Sequence, residues 1–278
     1  MQASGIGTAT GRCTGTSSTV TCMGTLTLTL TLMSIRTSTS PSTASSNAMP
    51  IAELRRTLAL ALAMLEREDI IDFNGHCSAR LPDGRGLLIN AADSVRSRIA
   101  PADFIEVGFD GRVLDGTRTP PMEFHLHAQL YLARTDVQAV IHSHPRWSTV
   151  LTTTGHAWQP VTMQAAVLGP VATFDQTASI NTAALGIEVA AFLGGAKAAL
   201  MRRHGAVTVA ASITDAFVQS IYLEENAHRQ HLALQIGTPQ PLAADECAVI
   251  GRNLARPALL QKAWDYYAAK HFPQGLGR

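Results

Sequence analysis

Beyond residue 48 the apolar positions recur with two periods, one near 3.6 and one of 2, and the changes of period delimit the elements. Leu54, Leu58, Ala61, Leu62 and Leu65 form a stripe that predicts a helix over 51–68, with Pro50 suited to its first turn. A break follows, then a strand within 70–79 and short strands over 87–90 and 104–107. Asp110-Gly111 marks a hairpin turn. After Pro120-Pro121 the pattern predicts a helix over 122–134, a buried strand over 137–142, a helix over 147–153 and a strand over 161–167. A helix over 181–193 comes next. Apolar runs at 198–201 and 207–210 then flank His204-Gly205 as a strand pair or a bulged strand. Helices over 214–236 and 257–269 complete the chain. Strands alternate with helices, but several strands fall in hairpin-like pairs. The expected fold is therefore α/β, a single three-layer α/β/α domain over 49–278 with a mixed, largely antiparallel central sheet.

Residues 1–48 carry no such pattern. They are rich in Ser, Thr and Gly, and in the Thr-Leu stretch over 25–32 every second residue is Thr, well short of a membrane span. This region reads as a low-complexity, disordered extension, or as coding sequence upstream of a start at Met33 or Met49. Composition narrows the partners. Of the 278 residues 46% are hydrophobic, enough for a real core, and a net charge of +1 without a basic stripe argues against nucleic acid or an anionic membrane. Cys77 and Cys247, the two cysteines outside the tail, lie too far apart in sequence for a disulfide framework or a zinc knuckle. A reducing, cytoplasmic setting is expected.

The candidate chemistry lies in histidines. In Val140-Ile141-His142-Ser143-His144-Pro145, residues two apart on a strand share a face, so His142 and His144 project together. Two adjacent imidazoles repel if protonated and waste hydrogen bonds if neutral, unless they share a cation; otherwise they are two separately satisfied residues. His204, in a polar island between apolar runs, is either a third ligand or a turn histidine, with Gly205 allowing an unusual backbone angle or a close approach. Three neutral histidines leave open positions on a Zn²⁺-like ion, the pattern of a catalytic site. Glu123 opens a helix, where the dipole favours a carboxylate; it is also placed for general acid/base work. His127 shares its helix face and His125 does not. His228 and His231 lie a turn apart with Glu224 and read as a solvated helix face. No dinucleotide fingerprint, P-loop or nucleophile elbow is present.

In order along the chain stand Pro121-Met122-Glu123-Phe124-His125-Leu126-His127, Val140-Ile141-His142-Ser143-His144-Pro145, Arg203-His204-Gly205 and Ile221-Tyr222-Leu223-Glu224. This series resembles the class II aldolase/adducin family over most of the chain after the tail. The resemblance implies an α/β/α domain assembled as a homotetramer, with His142, His144 and His204 as metal ligands and Glu123 as catalytic acid/base. It implies a divalent cofactor, Zn²⁺ first, with Mn²⁺, Fe²⁺ or Co²⁺ as alternatives. The chain departs from the family's sugar-phosphate loops at Asn74-Gly75-His76-Cys77-Ser78, at Asn90-Ala91-Ala92-Asp93-Ser94 and at Pro121-Met122, where donors for a phosphate are missing.

Ser94, Arg96 and Arg98 occupy the second of these loops, and arginine holds a carboxylate through paired hydrogen bonds. Gly75-His76 with Ser78 and Arg80, the 164–169 region and Ala263-Trp264-Asp265-Tyr266 are similar to a branch that decarboxylates hydroxylated aromatic, heteroaromatic or ring-cleaved dienoic acids. The expectation is thus a metal-dependent decarboxylase of a small carboxylic acid. In it Arg80, Ser94 or Arg96 holds the carboxylate, His76 and Ser78 shape the pocket, and Tyr266 or Tyr267 closes it. A retro-aldolase acting on a non-phosphorylated substrate and a non-catalytic adducin-like assembly module are the rival readings.

Overall fold

The computed structural model describes residues 49–274; the extension expected over 1–48 lies outside the described residues. Helix α1 (Ile51–Arg67) buries Leu54, Leu58, Ala61, Leu62 and Leu65, the stripe expected of it. The strands are β1 (His76–Arg80), β2 (Gly86–Asn90), β3 (Phe104–Gly108), β4 (Val113–Asp115), β5 (Ala139–Ser143), β6 (Ala172–Phe174), β7 (Ala198–Met201) and β8 (Gly205–Ala210). They form one sheet in the order β4-β3-β2-β1-β5-β8-β7-β6, antiparallel throughout except for the parallel pair β6–β7. The mixed, largely antiparallel sheet is as expected.

Helices cover both faces. On one side α1 packs with α5 (Ile213–Ile236) and α7 (Pro257–His271) against Cys77, Ala79, Leu88 and Ile141. On the other side α2 (Phe124–Ala133) and α4 (Ala183–Leu193) pack over Leu87, Ile89, Val140, Val207 and Val209. The two-residue period of each strand sorts its side chains between these layers. It sends His76, Ser78 and His142 to the α2 side, because their neighbours Cys77 and Ile141 belong to the α1–α5 side. A smaller core joins β7 and β8 to α3 (Arg146–Thr153) and α5.

Three expectations fail. Residues 161–167 form no strand but a 3₁₀ segment, Met163–Val167. Two buried amides on α5 satisfy the backbone there instead of a sheet partner: Asn226 Oδ1 accepts from Val161 and Thr162 N–H, and Gln230 Oε1 accepts from Gln159 N–H. Glu224 and His228 are no solvated face. Buried Glu224 accepts from the N–H groups of Trp147 and Ser148 and from the Ser148 hydroxyl at the start of α3, and the His228 ring stacks on Trp147 at 4.2 Å. Burial pushes the Glu224 carboxyl upward, while these hydrogen bonds pull the other way. Thirdly, helix α6 (Ala244–Leu254) and strand β6 stand where the sequence pattern predicts no element. Among the described residues no helix is long and apolar enough to cross a membrane.

Candidate metal centre

The centre forms where three chain segments meet at the end of β5. The β1–β5 register pairs His76 with His142, and the β5–β8 register pairs His142 with Val207. The β7–β8 hairpin then carries His204 back over the strand end. Its tight turn takes a left-handed backbone angle at Arg203, φ 58°. Gly205 serves the other purpose open to glycine, close approach: a Cβ there would stand 2.3 Å from the Ser143 carbonyl oxygen and 2.9 Å from His144 Cδ2. Glu123 stands at the N-cap position of α2, its side chain free of any capping bond, and enters from the helix layer.

Glu123, His142, His144 and His204 each offer one ligand atom, and these atoms all lie within 4.8 Å of one another. His142 Nδ1 lies 3.0 Å from the Ala206 carbonyl oxygen, to which it donates. That bond leaves Nε2 as a bare lone pair pointing inward. This lone pair faces His144 Nε2 at 3.2 Å and Glu123 Oε2 at 3.1 Å, while His204 Nε2 stands 3.4 Å from Glu123 Oε1. Such contacts are relieved either by a proton shared between imidazole and carboxylate or by a cation, and three imidazole nitrogens with one carboxylate oxygen are a donor set that fits a divalent ion. Outer partners orient the set. Asp72 Oδ1 lies 3.5 Å from His144 Nδ1, and the Ile180 N–H donates to Glu123 Oε1 at 2.9 Å.

The electrostatics agree. Burial alone would raise the Glu123 carboxyl, but the imidazoles of His142 and His204 beside it bring it well below the usual carboxylate range. Burial, then the nearness of His142, lowers His144 to about 4. Behind the cluster the His76 ring stacks on His142 at 5.4 Å and meets His127 edge-on at 5.7 Å. His127 is fully buried and held down to about 3 by that burial; its Nδ1 lies 2.7 Å from the Ser78 hydroxyl, which also meets the Tyr131 hydroxyl at 2.9 Å.

A cavity of about 720 Å³ opens onto His144 and His204, with Ser94 and Arg96 in its wall. Arg96 is buried, yet its guanidinium meets only neutral groups: Nε donates to the Gly75 carbonyl at 2.9 Å and Nη1 to the Ser94 hydroxyl at 2.5 Å and to its carbonyl. Other expected site residues lie elsewhere. Arg80 sits at the far end of β1, where its guanidinium ties down the carbonyls of Tyr131, Arg134 and Val137 at the end of α2. Ser78 is walled in by His127 and Tyr131. Tyr267 packs edge-on against Phe217 in the α5–α7 core, 5.6 Å between rings, and within this chain does not line the cavity. The apolar spacing of α7 buries that face against α5, which is the simpler use of an aromatic there. Asp72, Phe73 and the Ile180 N–H also belong to the site, but the first two sit in an irregular turn and the third is backbone, so no periodicity singled them out.

Residues 56–231 match the Class II Aldolase and Adducin N-terminal domain. Among curated relatives, a 5-methylthioribulose-1-phosphate/5-deoxyribulose-1-phosphate aldolase of Rhodospirillum rubrum is 31% identical, over 62% of this chain and 77% of its own. Decarboxylase NovR of Streptomyces niveus is 32% identical over 63% of this chain, which spans 65% of that protein's length. A 3,4-dihydroxyphthalate decarboxylase of Rhodococcus jostii is 30% identical over 58% of this chain and 71% of its own. Among solved structures, the L-fuculose 1-phosphate aldolase of Glaciozyma antarctica shares the fold, with a TM-score of 0.72 at 21% identity over 84% of this chain and 97% of that one.

Proposed function

The chain belongs to the class II aldolase and adducin family, and from that premise we propose that it is a divalent-metal-dependent carbon–carbon lyase. Its reaction in this reading is decarboxylation of a hydroxylated aromatic acid, or of a related unsaturated hydroxy or keto acid. One observation carries the choice of substrate: a buried guanidinium, Arg96, faces the same cavity as the histidine cluster and has no carboxylate partner among the described residues. A buried cation without a counter-ion is costly, and a substrate carboxylate supplies the missing charge.

A divalent ion held by His142, His144 and His204 supplies Lewis-acid stabilisation of negative charge on an oxygen next to the bond that breaks. Zn²⁺ suits three imidazoles best, with Mn²⁺, Fe²⁺ and Co²⁺ as alternatives. Arg96 and Ser94 hold the carboxylate end of the acid against the cavity wall. Glu123, ionised at rest, takes the proton of the substrate hydroxyl. Glu123 then passes that proton to the carbon bearing the carboxylate, which becomes tetrahedral while the oxygen becomes a carbonyl. When the carbon–carbon bond breaks, CO₂ departs, its electron pair flows through the unsaturated system onto the carbonyl oxygen, and solvent reprotonates that oxygen on release. His76, stacked on His142, positions that ring from behind.

Glu123→Gln is expected to keep its metal and lose turnover. Arg96→Met keeps the metal and raises KM by about 10- to 100-fold, the worth of a charged hydrogen-bond pair. Full activity in Glu123→Gln, or an unchanged KM in Arg96→Met, overturns the assignment. The similarity to aldolases at 31% identity favours retro-aldol cleavage as a second reading, and product analysis separates the two. CO₂ release from a panel of hydroxy acids supports decarboxylation, and an aldehyde supports the retro-aldolase. The assembly in this reading is a homotetramer, testable by light scattering.

A further inference from the structure

The cavity lining is chemically mixed. His144, His204 and Arg96 are polar, as are Glu66, Asp69, Asp72 and Arg146, whereas Phe73 and Val95 are large apolar side chains left 81% and 44% exposed. Both are placed by the site's own segments. Phe73 sits in the turn just before β1, where Asp72 Oδ1 accepts from the Asn74 N–H at 2.8 Å, and Val95 immediately precedes Arg96. Asp72, which shapes that turn, also lies beside His144. The turn that carries Phe73 is thus shaped by the same residue that lies beside a candidate ligand.

We propose that Phe73, with Val95 on the same cavity lining, selects substrates by covering the ring of an aromatic acid whose carboxylate is held by Arg96. This deepens the decarboxylase reading and rests on it. An exposed aromatic gains most from a flat apolar partner, through area removed from water and offset or edge-on ring contact. A volume of about 720 Å³ leaves ample room for a single substituted ring. The lining also carries Glu66, Asp69, Asp72 and Arg146, but none of these carboxylates lies within ion-pair distance of Arg96, whose guanidinium meets only neutral groups; that guanidinium commits the occupant to a small acid rather than a second copy of the chain. An aliphatic acid satisfies Arg96 equally well but leaves Phe73 uncovered, so Phe73 discriminates between acids without setting their common affinity.

The test is calorimetric binding to the metal-loaded full chain of 2,3-dihydroxybenzoate and of glycerate, an aliphatic acid with the same vicinal oxygen pattern. Phe73→Ala is expected to weaken 2,3-dihydroxybenzoate about 10-fold and glycerate less than about 2-fold, with Phe73→Tyr close to the parent and the mass in solution unchanged. Equal weakening of both acids, or undiminished binding of the aromatic acid, overturns the proposal. A fall in assembled mass with unchanged ring binding overturns it as well and identifies Phe73 as a contact between copies. Failure of both acids to bind the parent protein removes the carboxylate reading itself, whereas aromatic binding indifferent to Phe73 removes only this inference.

Discussion

Gly205→Ala probes the closest packing at the centre. A methyl group there would lie 2.3 Å from the Ser143 carbonyl oxygen, 2.9 Å from His144 Cδ2 and 3.3 Å from His142 Cε1. Real Cβ contacts stay above 3.0 Å, so the hairpin and β5 must part by about 0.7 Å or more, and the atom in the way is backbone rather than a yielding side-chain tip. Overpacking of this kind costs roughly 1–3 kcal/mol of stability in the metal-free protein. The displacement also separates His204 from His142 and His144, and disturbing ligand orientation lowers metal affinity about 10- to 100-fold. Urea denaturation in chelator measures the first effect, and competition titration with a metallochromic chelator the second. Gly237→Ala is the control: Gly237 has extended backbone and nothing within 4 Å of a Cβ, and its substitution is expected to be neutral or stabilising by up to about 1 kcal/mol. A Gly205→Ala protein with an unchanged urea midpoint and unchanged metal affinity would refute the packing argument.

Two further outcomes follow from the same structure. Asn226→Leu strips partners from the Val161 and Thr162 N–H groups and the Gln159 carbonyl, and is expected to cost about 2–4 kcal/mol in urea denaturation; a loss under about 1 kcal/mol would show that the 3₁₀ segment does not depend on α5. In the metal-free protein His127 stays neutral down to about pH 3, whereas a histidine in the unfolded chain protonates near 6.5. Between these values the unfolded state binds the extra proton, so stability falls as pH drops, with a slope approaching about 1.4 kcal/mol per pH unit for this group. The acid limb should be shallower in His127→Gln, and an identical limb would contradict the assigned burial.

The elements that were legible in the sequence are those with one dominant signal. The α1 stripe, the Asp110-Gly111 turn and the paired runs around His204 all act through local periodicity or turn chemistry, and the structure keeps them. His142 and His144 are legible because strand alternation sets them on one side, and although β5 ends at Ser143 the two rings still converge, 5.0 Å between centroids. Where tertiary hydrogen bonds override local pattern, the reading failed: Val161 to Val167 look like a strand, but the amides of Asn226 and Gln230 replace its partners. Glu224 looked solvated because a carboxylate on a helix usually is, and nothing local reveals the α3 terminus it caps. Arg80 and Arg96 are both arginines near the same motifs, and both donate to backbone carbonyls; only the fold shows that Arg80 does so at the end of α2 and Arg96 in the wall of the cavity.

In the proposed reading His142, His144 and His204 hold a divalent ion on which the chemistry depends. Elemental analysis of the purified, metal-equilibrated full chain beside His142→Ala tests it most directly. The account predicts one divalent ion per chain in the parent, little or none in the variant, and a rise in the parent's stability of about 2.7 kcal/mol when free metal reaches 100 times its dissociation constant. A parent protein that carries no ion and gains no stability from added metal would contradict it.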